Sequence, residues 1–345
     1  MQEEFKKIFL EKDPFKDILG QEDTKKQLKS ALLMGRNVVI VGPPGIGKTT
    51  LAKNIAKLLP DIDINPEDYP WDNVIGKKEG KKKKLKGEER FVRVQGSPDL
   101  TAEDLVGDID PIKAMKFGPL SVEAFTPGKI FKSNNGILFF DEVNRCPEKL
   151  QNALLQVLQE KIATIGSYDL DFPANFIFIG TMNPEDTSTE KLSQVFLDRF
   201  DIIYMDYPET LKIEKEILLN SGKTIGVDFS DKLLDSMVYF VRMIREDKNI
   251  LKKPSVRATI GLYERAQSNA FLRNKKSVEF IDIKEAVHSV LSHRIEMKPS
   301  VKYLQSTSDF IKQEFKKFEQ DYKEGRLKNV ERESGGSEKE EGDVP

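Results

Sequence analysis

Residues Asn37–Val41 read NVVIV, Gly42–Thr49 read GPPGIGKT, and Thr50–Leu59 continue as TLAKNIAKLL. An unbroken apolar run, a glycine-rich turn and an amphipathic segment predict strand, loop and helix in that order. Gly42, Gly47, Lys48 and Thr49 stand at the spacing of a phosphate-binding loop. Glycines let consecutive backbone N–H groups turn inward, and the helix start at Lys48–Thr49 adds the positive end of its dipole. In such a loop Lys48 reaches the β- and γ-phosphates, and the Thr49 hydroxyl holds Mg²⁺. A plain strand-to-helix turn also needs glycine, but the apolar strand before and the helix after favour the phosphate reading. The stretch predicts a chain that binds a nucleoside triphosphate.

Further apolar runs follow at Arg90–Gln95, Gly136–Asp141, Phe176–Thr181 and Asp201–Met205, with helical patterns between them, notably Pro147–Lys161. Strands alternating with helices predict a parallel sheet covered on both faces, an α/β architecture. Upstream, Asp13–Pro14 reads as a turn ahead of an amphipathic helix that feeds the first strand. From Glu209 onward helix patterns succeed one another, so a second, all-α domain is expected over 209–297, behind an α/β domain over 1–208. An amphipathic helical extension over 298–327 follows, where Phe310, Phe315, Phe318 and Tyr322 form a stripe that suits the helical domain or a partner. Gly76–Arg90 carries seven lysines and reads as a solvated, mobile loop; an acidic or nucleic-acid partner is the alternative. The polar, acidic residues 328–345 are expected to be disordered.

Composition narrows the function. The 345 residues are 38% hydrophobic and 32% charged with a net charge of −2, which argues against a general nucleic-acid coat. A single cysteine, Cys146, excludes an internal disulfide framework and a cysteine metal cluster, and reads as a packing residue. His288 and His293 are five apart and do not share a helix face as a metal pair would. No apolar stretch approaches the roughly 18–20 residues of a membrane helix, and the charged start MQEEFKKIFLEKD is unlike a signal peptide. The expectation is a soluble, cytoplasmic protein without a membrane partner.

The chemistry lies at strand ends. ILFF runs into Asp141–Glu142, at the sheet edge that carries the glycine-rich loop. There Asp141 is expected to hold Mg²⁺ through water, and Glu142 to polarise the water that attacks the γ-phosphate. FIFIG runs into Thr181, Met182 and Asn183, which puts an amide at the tip of another strand; Asn183 there suits either a turn before Pro184 or a contact with γ-phosphate and water.

GPPGIGKT, ILFFDEVNR, GTMNPED and FLDRFD occur in the order seen in AAA+ ATPases. The chain resembles more narrowly the MoxR and magnesium-chelatase ATPase-subunit group. ILGQEDTKKQL, DLVGDIDP, FTPGKIFKSNNGILFFDEVNRCPEKLQNALLQVLQE and VLSHRI carry that likeness, which spans about Asp13 to Ile295. The resemblance implies ATP and Mg²⁺ as ligands of Gly42, Pro43, Pro44, Gly45, Ile46, Gly47, Lys48, Thr49, Thr50 and Asp141. It implies that Ile18–Gln21 border the adenine and that Asn183 is a first sensor. Arg199 would be a finger on the neighbouring subunit's γ-phosphate, and Arg257 a second sensor on the helical lid.

The group's helix-2 insertion corresponds to 99–132, and a hairpin over Ala163–Phe172 precedes the first-sensor strand; such elements line a ring pore or face the substrate in related machines, or serve as structural cover. The activity implied is ATP hydrolysis in a homo-oligomeric ring, hexameric in the group's manner, that remodels a partner. A MoxR-like chaperone acting with a von Willebrand factor A-domain protein, an ATPase subunit of a magnesium or cobalt chelatase, and a DNA-dependent motor are the open forms, the last disfavoured by charge. A scaffold that binds ATP without turnover is disfavoured by Glu142, Asn183 and Arg199 together.

Overall fold

Five parallel strands carry the first half of the chain: β1 (Val38–Val41), β2 (Phe91–Gln95), β3 (Ile137–Asp141), β4 (Ile177–Met182) and β5 (Asp201–Tyr204). They lie in the order β5-β1-β4-β3-β2. Each begins and ends within one residue of its expected bounds. The computed structural model describes residues 6, 8–9, 15, 17–64, 83–119, 121, 124–165, 170–184 and 192–327. The Asp13–Pro14 turn, residues 76–82 of the lysine segment, the Gly166–Ser167 hairpin tip and the 328–345 tail lie outside them.

The three central strands are apolar runs buried on both faces, as a parallel sheet sandwiched between layers requires, whereas β2 and β5 are edge strands and half exposed. Each aliphatic or aromatic side chain so buried contributes about 2 kcal/mol. Phe178 packs between Phe140 and Phe200 at ring-centroid distances of 6.1 and 5.1 Å, which ties β4 to β3 and to the start of β5. Three helices matter for the site: α1 (Glu22–Leu33), α2 (Lys48–Leu58) and α3 (Glu148–Glu160).

The lysine segment differs from its expectation where it is described. Lys83–Leu85 pairs antiparallel with Ile62–Ile64, and Gly87–Arg90 is a 3-10 turn, not a mobile loop. Burial explains the difference. A Cβ on Gly87 would stand 2.1 Å from Leu59 O, and the buried Arg90 guanidinium donates to Pro60 O at 2.5 Å and to Asn135 O. In the 99–132 region, the strands Gly107–Ile109 and Phe125–Pro127 form a hairpin. The intervening helix Pro111–Phe117 has no buried residue and exposes Ile112, Met115 and Phe117. A second hairpin pairs Ile162–Ile165 with Leu170–Pro173.

The chain divides into two compact units, Met1–Gly42 with Gly47–Met205, and Pro43–Ile46 with Asp206–Pro345. The second unit is built on α4 (Leu211–Ser221), α5 (Asp231–Glu246), α6 (Val256–Leu272), α7 (Phe280–Leu291) and α8 (Thr307–Lys323). A short antiparallel pair, Ile250–Lys252 with Glu296–Met297, adds to the helices. The stripe on α8 packs inside this unit: Phe315 and Phe318 lie 5.1 and 5.0 Å from Phe240, and Tyr322 stacks on Phe280 at 5.0 Å. Edge-on and offset ring pairs of this kind add to the burial term.

Candidate active site

Because β1, β4 and β3 are parallel neighbours, their carboxyl ends gather at one edge. Val41 lies beside Met182, and Gly42 N–H donates to Met182 O at 3.1 Å, so the glycine loop starts next to the tip of β4. Gly45 and Gly47 take φ of +76° and +102°, the left-handed region that favours glycine. Lys48 opens α2, and its Nζ donates to Gly42 O at 2.5 Å, which holds the ammonium over the loop. Thr49 and Thr50 follow in the first turn of α2. Ile18 is buried, and its Cδ1 stands 3.9 Å from where a Cβ on Gly47 would sit. Gln21, at φ +61°, begins α1, and Thr24 Oγ1 reaches its Oε1 at 3.3 Å. The Ile18–Gln21 segment therefore borders the glycine loop.

The acidic pair is set by two devices. Thr181 Oγ1 donates to Asp141 Oδ1 at 2.6 Å and accepts from Glu142 N at 3.0 Å, so one buried hydroxyl ties β4 to both residues at the end of β3. Glu142 then turns left-handed, φ +57°, into the 3-10 turn Val143–Arg145. That conformation costs a non-glycine residue of order 1 kcal/mol and turns the chain sharply at the sheet edge. A Cβ on Gly96 would stand 2.1 Å from Glu142 O, so β2 also reaches this turn backbone to backbone.

Asn183 follows β4 directly, and Asn144 Nδ2 points to its carbonyl at 3.5 Å. Lys48, Thr49, Asp141, Glu142 and Asn183 thus belong to one sheet edge. Arg199 does not. It precedes β5, whose first residue Asp201 pairs with Val38 at the start of β1, so Arg199 lies at the opposite, amino end of the strands. There its guanidinium donates to Val195 O at 2.6 Å and to Gln159 Oε1 at 3.3 Å. In the second unit, which includes Pro43–Ile46, Arg257 stands in the first turn of α6. A Cβ on Gly45 would meet Arg257 Cγ at 2.9 Å and Ser255 Oγ at 3.1 Å, so Gly45 is also required by close approach.

Sequence reasoning missed Arg93 and Gln95 on β2 and left out Arg145. Arg93 pairs with Asp141 at 2.6 Å, while Gln95 Nε2 and Arg145 NH1 approach Glu142 Oε2 at 3.0 and 3.1 Å. The available signal was strand parity in FVRVQ, which puts both polar residues on one side of an edge strand. Cys146 is buried, and burial pushes its thiol up to about 11, so it is a packing group and not a nucleophile.

The donor chemistry fits a Mg²⁺-bound triphosphate. Glycine-loop amides at a helix start, one ammonium, one hydroxyl and one carboxylate are hard oxygen and hydrogen-bond partners of the kind both groups take. Among the described residues no helix is long and apolar enough to cross a membrane, and no cluster of three His, Cys, Asp or Glu side chains could hold a metal alone.

The sequence profile of magnesium chelatase, subunit ChlI, matches residues 14–212, and that of an AAA lid domain matches 250–314. A magnesium-chelatase subunit ChlI from Nephroselmis olivacea is 27% identical over 324 residues, covering 83% of this chain and 89% of its own. That of Guillardia theta is 29% identical over 323 residues, covering 83% and 90%. Protein YeaC of Bacillus subtilis is 26% identical over 310 residues, covering 83% and 85%. With a P-loop sheet of this order and a family profile over more than half of its residues, the chain belongs to the magnesium chelatase subunit ChlI family of AAA+ ATPases.

Proposed function

We propose that this chain hydrolyses ATP. The observation that carries the proposal is the Thr181 hydroxyl, which ties Asp141 and Glu142 together at the sheet edge where the glycine loop begins. In this reading the amides of Gly42–Thr50 cradle the triphosphate, Lys48 neutralises its β- and γ-oxygens, and Ile18–Gln21 border the adenine. Thr49 and Asp141 hold Mg²⁺, which when bound neutralises charge on the β- and γ-phosphates. Glu142 accepts a proton from the attacking water, and Asn183 orients that water against the γ-phosphate. Charge build-up on the transferring phosphoryl group needs a further cation, and Arg199 stands at the wrong end of its own sheet to supply it. Arg199 therefore serves the site of a neighbouring copy, and the working form is a ring, with six subunits proposed. Arg257, against the tip of the glycine loop, takes the second-sensor role.

The test is a split between binding and turnover. Lys48→Ala is expected to abolish ATP binding in equilibrium titrations. Glu142→Gln is expected to bind ATP with parent affinity and to lose turnover by about a hundredfold or more, the scale of a lost general base. Turnover by Glu142→Gln at the parent rate would sink the assignment.

The ring is proposed to remodel a partner complex in metal insertion. The ChlI relatives, similar over 83% of this chain, support the chelatase form, in which hydrolysis drives Mg²⁺ or Co²⁺ into a tetrapyrrole held by other subunits. Capture of partners by Glu142→Gln in ATP decides this: a chelatase subunit is the expected catch, and a von Willebrand factor A-domain protein alone would replace the chelatase with a MoxR-like chaperone.

A further inference from the structure

The register of β2 on β3 sets Gln95 opposite Asp141, and strand parity turns Arg93 to the side of Gln95. Arg93 NH2 donates to Asp141 Oδ2 at 2.6 Å and to Gln95 Oε1 at 3.1 Å, and Gln95 Nε2 donates on to Glu142 Oε2 at 3.0 Å. The other oxygen of Asp141 takes the Thr181 hydroxyl at 2.6 Å. Both oxygens of the carboxylate assigned to Mg²⁺ are therefore bonded to donors of this chain.

The two bonds are not equivalent. Thr181 is fully buried between strands, whereas the Arg93 side chain is 51% exposed on an edge strand and the Asp141 side chain only 15% exposed. A divalent cation held to Asp141 through water beside an undisplaced guanidinium would gather three positive charges around one carboxylate in a partly dehydrated place, where like charges a few ångströms apart repel, and the bridging water needs a carboxylate oxygen that Arg93 occupies. The bond that yields is the one whose donor can swing into water. We propose that Arg93 is a built-in competitor of Mg²⁺ for Asp141, a positioning residue that aims the carboxylate and is displaced when Mg²⁺-nucleotide binds.

This inference rests on the nucleotide reading of the site, and the experiment separates the two. ATP affinity is measured by titration calorimetry with Mg²⁺ and, separately, with EDTA, on the parent, Arg93→Met and Arg93→Lys. Competition predicts that Arg93→Met binds Mg²⁺-ATP about twofold to fivefold more tightly than the parent, the size carried by releasing one half-exposed ion pair. In EDTA its affinity is expected not to tighten. Arg93→Lys keeps a cation on the strand and is expected to stay near the parent in both. A merely structural pair would lower the melting temperature and leave both affinities unchanged, which overturns the proposal; so does weaker Mg²⁺-ATP binding, the mark of a direct contact between Arg93 and phosphate. A parent that binds no ATP in either buffer would remove the nucleotide reading itself, and this inference with it.

Discussion

Thr181 shows how much a single hydroxyl can decide. It is fully buried at the tip of β4, and it spends its one proton on Asp141 and its lone pairs on the Glu142 amide. Valine has nearly the same shape but neither capacity, so Thr181→Val leaves a partly buried N–H without its acceptor and a carboxylate without its guide. The expected cost is about 1–3 kcal/mol of stability, since orphaning a buried polar group costs more than an average hydrogen bond is worth. Because Glu142 is held left-handed with the help of that acceptor, its aim should suffer more than nucleotide binding does. Thr181→Val should therefore lower kcat at least tenfold with little change in ATP affinity, while Thr181→Ser, which keeps the hydroxyl, should stay within a few-fold of the parent. Equal kcat in Val and Ser variants would show that the hydroxyl has no part in placing Glu142.

At the scale of elements, the helical unit is held by a buried charge cluster as well as by its aromatic core. Glu214 on α4 is fully buried and accepts two bonds from Arg245 on α5, each 2.8 Å, and one from Thr259 on α6 at 2.6 Å; Arg242 adds a contact at 3.4 Å. Burial alone would raise the Glu214 pKa, but the bonds and charge of Arg245, the Thr259 hydroxyl and Arg242 outweigh it and hold the carboxyl below its ordinary 4.5. A carboxyl with a lowered folded pKa adds stability above its unfolded value and loses it as pH falls through the folded one. Melting temperature should therefore drop on acidification below about pH 4.5, and more shallowly in Glu214→Gln, which has no proton to gain there. At neutral pH that variant should be about 3 kcal/mol less stable, because Arg245 keeps its buried charge and loses its partner. A parallel fall of both proteins with pH would rule Glu214 out as the source.

The sheet was open to reading for a physical reason that did not extend to these contacts. Central parallel strands must be apolar on both faces, so β1, β3 and β4 stand out as unbroken runs, and the residues that end them, Asp141 and Asn183, come with them. The pair Ile62–Ile64 with Lys83–Leu85 left no such trace, because three-residue ladders form where the chain folds back and one partner is mostly lysine. Arg93 and Gln95 escaped for a different reason. Their residue types are ordinary on an edge strand, and their meaning arises only from the register that sets β2 against β3. Arg90 was hidden by its charge: nothing in sequence marks an arginine that will be buried against two carbonyls.

At the scale of the whole molecule, the decisive arrangement is the separation of Lys48 and Arg199 to opposite ends of one sheet. A single copy cannot bring both to one phosphate, and a head-to-tail interface that closes into a ring can. The consequence is complementation. Lys48→Ala should be inactive for want of nucleotide, and Arg199→Ala should bind ATP yet turn it over roughly a thousandfold more slowly, the scale of a missing arginine finger. In mixed rings, a copy carrying Arg199→Ala offers an intact loop, and a neighbouring copy carrying Lys48→Ala offers an intact arginine. With random equal mixing about one interface in four joins the two in the working order, so the mixture should regain about a quarter of parent ATPase although each component alone has almost none. Differently tagged copies that co-purify establish that mixed rings form. If they do and activity stays at the level of the separate variants, Arg199 does not act on a neighbour, and the site must find its last cation within its own chain.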